Sequence, residues 1–241
     1  MPMATQAGER KTGRTPLSRE RVLRAAMALA DEHGIESVSM RKLAQELGVD
    51  PMSLYNHVAN KEDLLGGMVD LVVEEIDLVP VKDGDWKGAL RAQVLAARRT
   101  MLRHPWARGV LEARTDSSPT IMRYFDAVAG IFRSGGVSID LMHHALHTIG
   151  SRVLGFTQEL FDDSNTFDQG PEVIALMAHQ MAAEYPNLSE MMLQISHDEA
   201  TVVGSGCDDK FEFEFALDLI LDGIERLHHA ASHSSPPLRT P

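Results

Sequence analysis

Residues 39–61 read Ser39-Met40-Arg41-Lys42-Leu43-Ala44-Gln45-Glu46-Leu47-Gly48-Val49-Asp50-Pro51-Met52-Ser53-Leu54-Tyr55-Asn56-His57-Val58-Ala59-Asn60-Lys61. Ser39 and Asp50 are residues that cap helix N-termini with a side-chain oxygen. Pro51 sits where a helix's first position needs no N–H. Two short helices are therefore predicted, Met40–Leu47 and Pro51–Val58, with Gly48-Val49-Asp50 between them. A turn of three to four residues containing glycine is the joint of a helix-turn-helix. In the second helix Leu54 and Val58 face inward, leaving Pro51, Met52, Ser53, Tyr55, Asn56 and His57 outward. An ordinary helical hairpin has the same spacing. Arg41 and Lys42 open the first helix and Lys61 opens the following one, each placed for phosphate contact.

The charge distribution points the same way. The 241-residue chain carries a net charge of −12, which argues against coating nucleic acid along its whole surface. Residues 1–66 balance nine Lys/Arg against nine Asp/Glu, and the first 24 hold six basic and two acidic residues. The excess of acid lies beyond residue 66. A neutral module with a basic arm thus precedes an acidic body, a balance that permits one local DNA contact. Hydrophobic residues make up 44%, enough for a packed core. Cys207 is the single cysteine, which excludes an internal disulfide and suits a reducing cytoplasm. No apolar run is long enough to span a membrane, and Met1–Thr15 lacks the apolar stretch of a secretory signal.

Helical periodicity continues along the chain. Ser18 caps a helix ending at His33–Gly34, and Asn60 caps one running to Ile76. Further helices are expected at Asp85–His104, Trp106–Arg114, Pro119–Ser134, Ser138–Phe161, Pro171–Tyr185 and Ser189–Ser196, with Pro186 closing the one before it. The last, about Asp208–Ala230, begins with Phe211-Glu212-Phe213-Glu214-Phe215, which alternates like a strand. Its helical continuation and its lack of a partner strand make it a helix. It carries Phe213, Leu217, Ile220, Ile224 and Leu227 at steps of four and three, a seam suited to a dimer interface. The expected fold is all-α: a flexible basic arm (1–16), a three-helix DNA-binding domain with a helix-turn-helix (17–66), a helical ligand-binding and dimerisation domain (67–231) and a disordered tail (232–241).

The strings Ser39–Val49 and Leu54–Leu65 closely resemble the DNA-binding domain of TetR-type repressors, most specifically in Leu54-Tyr55-Asn56-His57-Val58-Ala59-Asn60-Lys61. Gly150–Glu159, Phe211-Glu212-Phe213 and Ile220–Glu225 are similar to the ligand-binding domain of the tetracycline-repressor branch. The resemblance implies groove contacts from Arg41, Pro51, Met52, Ser53, Tyr55 and His57, with Lys61 on phosphate; Lys42 joins the DNA-contact candidates by its position beside Arg41. Pro51 stands where that branch usually has a polar residue, and Met52 can touch a thymine methyl but cannot read hydrogen-bond patterns. The family's function implies a homodimeric, ligand-responsive transcriptional regulator, a repressor released from double-stranded operator DNA by a small effector. That branch holds a magnesium–drug complex with a histidine and a glutamate. Leu111 stands at the histidine's place and Glu159 at the glutamate's, so metal-assisted binding is not expected.

The body offers Met101, His104, Trp106, Met122, Phe125, His143, His147 and Phe156 as candidate effector contacts. Methionines and aromatics supply adaptable apolar area and the histidines hydrogen bonds, which fits a medium-sized apolar or aromatic compound. The same residues could simply form core. His143 and His147 share a helix face at the spacing of a metal-binding pair. An alternative reading is therefore a helical metal enzyme, although no HExxH or carboxylate–histidine motif surrounds them. A helical adaptor that does not bind DNA is another. No cofactor, metal or catalytic residue is expected.

Overall fold

The computed structural model describes residues 16–114, 117–155, 171–194 and 209–234. Among these, every regular element is helical. In chain order the helices are α1 (Arg19–His33), α2 (Met40–Leu47), α3 (Pro51–Leu54), α4 (Lys61–Glu74), α5 (Trp86–Arg103), α6 (Ala107–Ala113), α7 (Pro119–Ser134), α8 (Ile139–Gly155), α9 (Pro171–Met181), α10 (Pro186–Gln194) and α11 (Asp209–Ser234), with a 3-10 turn at Ile35–Ser37.

The chain forms two compact units. The first comprises the described residues up to Ile76 together with Arg99–Tyr124; the second comprises Asp77–Arg98 and the described residues from Phe125 onward. The division falls inside α5 and α7.

In the first unit one apolar cluster joins Val22, Leu23, Ala26, Leu43, Leu54, Val58, Leu64, Met68 and Val72. Trp106, Ala107 and Ile121 belong to the same cluster, so α6 and the start of α7 share a core with α1–α4. α1 and α4 approach closely at Gly67, where a Cβ would come within 2.8 Å of the Leu23 side chain. Gly34 and Gly48 adopt positive φ of 79° and 64°, ending α1 and α2 in backbone conformations that glycine takes without steric cost.

In the second unit Leu90, Val94, Phe132, Phe213, Leu217 and Leu221 are fully or nearly fully buried. Trp86 packs against Phe132 with ring centroids 6.1 Å apart and lies against Gly135, where no side chain has room. An ionic ladder ties α5 to α11. Lys87 Nζ lies 2.6 Å from both Asp222 and Glu225, and Arg91 donates to Asp218 at 2.6 Å and to Glu214 at 2.8 Å.

Several boundaries differ from the sequence reading. α3 stops at Leu54, and Tyr55–His57 continue as a turn in which the His57 N–H donates to the Leu54 carbonyl at 2.9 Å. Pro186 opens α10 rather than merely ending α9, as the first-turn tolerance of proline allows. α11 runs to Ser234, three residues into the stretch expected to be disordered. The expected arm (apart from Pro16), Phe156–Phe161, Glu159, Cys207 and residues 235–241 lie outside the described residues.

Candidate nucleic-acid interface

Capping builds the reading head. Ser39 Oγ accepts from the Lys42 N–H at 3.2 Å, which starts α2 with Arg41 and Lys42 in its first turn, both exposed. The Gly48 and Val49 N–H groups close α2 onto its last carbonyls. Asp50 Oδ1 then accepts from the Met52 N–H at 2.8 Å and starts α3. Leu54 and Val58 are buried, whereas Pro51, Met52, Tyr55 and Asn56 are exposed and Ser53 and His57 are half-buried. The inward and outward sets read from the sequence are therefore sorted as expected, within a shorter helix.

The turn after α3 is held by a clamp that sequence inspection did not find. Arg19 Nη1 donates to the His57 carbonyl at 2.8 Å and to Asp63 Oδ2 at 2.9 Å, while Nη2 donates to Asp63 Oδ1 at 2.6 Å. Asp63 Oδ2 also accepts from the Ala59 N–H at 2.8 Å. The Arg19 hydrogen bond, joined by that of Ala59, holds the Asp63 carboxyl below its ordinary range, and the guanidinium is raised in turn. Asn60 Oδ1 accepts from the Asp63 N–H at 2.8 Å, so Lys61 is fixed as the exposed first residue of α4. Arg19 and Asp63 are 44 residues apart, so no local signal joins them.

The proposed effector contacts are distributed as follows. His104 is buried, with Nδ1 2.8 Å from Asp31 Oδ1 and Nε2 3.1 Å from Glu75 Oε2. Trp106 Nε1 donates to the same Asp31 oxygen at 2.6 Å, and Arg103 donates to Glu75 at 3.0 Å. Burial pushes the Glu75 carboxyl up, but the His104 and Arg103 hydrogen bonds outweigh it and leave it below its ordinary value. Met101 packs half-buried against the first unit's core. Met122 and Phe125 are exposed on α7. His143 and His147 are exposed on α8 with ring centroids 4.7 Å apart. Phe156 lies outside the described residues. Among the described residues no three His, Cys, Asp or Glu side chains gather as metal ligands would.

Of the expected dimer seam, Phe213, Leu217 and Ile224 are buried by the chain's own packing, Ile220 is half-buried and Leu227 is 60% exposed. The apolar line that α11 leaves outward is instead Phe215, Leu219 and Leu227, with Gly223 between the last two.

Comparison with known proteins gives two family matches. "Bacterial regulatory proteins, tetR family" matches residues 22–68, and "Tetracyclin repressor-like, C-terminal domain" matches residues 80–228. The chain is 31% identical over 231 residues to the HTH-type transcriptional repressor DrrR1 of Streptomyces coeruleorubidus, covering 90% of this chain and 83% of that one. It is 25% identical over 214 residues to tetracycline repressor protein class C of Escherichia coli, covering 88% and 92%. Apo ActR from Streptomyces coelicolor has a TM-score of 0.69 at 25% identity, covering 90% and 99%. The matched families are regulators, which sets aside the reading of His143 and His147 as the heart of a metal enzyme. The chain belongs to the TetR family of helix-turn-helix transcriptional regulators.

Proposed function

We propose that this regulator is a cytoplasmic, homodimeric repressor. Its residues 17–66 read operator DNA, and residues 67–231 carry effector binding and dimerisation. The observation that carries the reading is the composition of the exposed surface around the helix-turn-helix. Arg41, Lys42 and Lys61 stand at helix starts around an outward Met52 and Tyr55, over an apolar cluster that fixes them. Cations at that surface hold phosphates and α3 meets base edges. Ser53, Tyr55 and His57 supply its polar contacts. Two copies place two such heads about one DNA turn apart, and an effector that favours another spacing weakens binding by linkage.

The effector is a medium-sized apolar or aromatic compound, a class argued from the methionine-rich composition of the chain beyond residue 66. No helix among the described residues is long and apolar enough to cross a membrane.

The test is selection of binding sites from genomic DNA, followed by titration of the recovered operator. Lys61→Ala should weaken binding and lower the slope of log K against log salt by about one. Tyr55→Ala should weaken binding at least tenfold with the helical circular dichroism unchanged. Failure to recover any site, or unchanged affinity in both variants, refutes the docking surface. A thermal-shift screen of hydrophobic compounds, with and without magnesium, tests the effector class; stabilisation only by phosphorylated metabolites refutes it.

A further inference from the structure

Met52 is the most exposed large hydrophobic side chain among the described residues, at 69%. It occupies the second position of α3, and the backbone around it has no outward donor to offer. Pro51 has no N–H. The Met52 N–H donates to Asp50 Oδ1 at 2.8 Å, and the Ser53 N–H donates to the Asp50 carbonyl at 2.9 Å. The tip of the reading helix therefore presents the Pro51 ring and a thioether chain beside a carboxylate, with no cation and no unspent N–H at its first three positions. Pro51 and Met52 cannot clamp a phosphate, and neither can donate to guanine N7 and O6. One major-groove feature matches such a tip: the C5 methyl of thymine, the single apolar group on a base edge there.

We propose that Met52 reads a thymine methyl in each operator half-site, so that recognition at that base pair depends on the methyl and not on a hydrogen bond. The thioether suits this task, being polarisable and free of rotamer constraints that would hold it away from a methyl of variable position. The proposal rests on the reading of α3 as the groove-entering helix. Hydrogen-bond discrimination then falls to Ser53, Tyr55 and His57, further along the same surface.

The experiment uses the full chain. A binding site is selected from a random duplex pool, and each thymine of the selected site is replaced in turn by deoxyuridine, which removes the methyl and nothing else. One thymine in each half-site should weaken binding roughly fourfold on replacement, the value of one buried methyl. In Met52→Ala, whose fold is checked by circular dichroism, that replacement should cost nothing further. In Met52→Gln, selection should shift the preference at that base pair. A pool that yields no enriched site overturns the DNA-binding reading itself. An enriched site at which no deoxyuridine matters, or at which it matters equally in Met52→Ala, overturns the methyl assignment and leaves DNA binding standing.

Discussion

Arg19 shows how a residue that touches no base can set what the bases meet. Its guanidinium joins the His57 carbonyl, at the end of the reading turn, to Asp63 in the first turn of α4. Both partners are partly exposed, so the pair contributes only about 1 kcal/mol to stability. Its geometric effect is larger, because a lysine keeps the charge but not the planar fork. Arg19→Lys should lower operator affinity several-fold in fluorescence anisotropy while the melting temperature moves by no more than about 4 °C. The depressed Asp63 and Glu75 carboxyls act through pH. A carboxyl whose folded pKa is lowered adds stability above its unfolded value of about 4, and this is lost as pH falls through the folded value. The melting temperature should therefore fall below about pH 4, with the Asp63 share of that fall reduced in Arg19→Gln, where only the Ala59 hydrogen bond still lowers it.

His104 has a different part. It separates the carboxylates of Asp31 and Glu75, each of which can only accept. His104→Leu leaves two acids facing an apolar group. It should cost about 2 kcal/mol, read as a drop of about 4–8 °C in a thermal melt.

At the scale of the element, α11 carries three surfaces around one helix. Phe213, Leu217, Leu221 and Ile224 enter the chain's own core, while Glu214, Asp218, Asp222 and Glu225 meet Lys87 and Arg91. Phe215, Leu219 and Leu227 remain outward. The sequence showed an apolar helix but not which apolar line goes where. Both lines repeat at helical spacing, so periodicity alone does not say which is buried; the position of α5 distinguishes them. Leu219→Glu with Leu227→Glu should yield a monomer by light scattering, with helicity retained. A normal dimer from that variant would place the interface elsewhere.

The caps were the most legible features. Ser18, Ser39, Asp50 and Asn60 each accept the N–H expected of a capping residue. Those signals are local, and the physics that reads them is local too. The end of α3 was not legible from spacing, and the turn that follows it is held by Arg19, whose guanidinium reaches the His57 carbonyl from 38 residues away. The apolar pattern around α3 was read correctly, since burial of Leu54 and Val58 follows from spacing alone.

For the whole molecule, the boundary at residue 66 marks a change in charge, whereas the compact unit around the reading helices also takes in Arg99–Tyr124. Trp106, Ala107 and Ile121 are part of the same apolar cluster as Leu43 and Leu54. Re-engineering by domain exchange is constrained accordingly. A hybrid regulator made by grafting residues 1–66 onto a foreign effector body would meet a mismatched floor under α1 and α4, and should express poorly or melt early. Carrying residues 67–76 and Arg99–Tyr124 along with the graft should restore the melt, and transplanted operator preference with it.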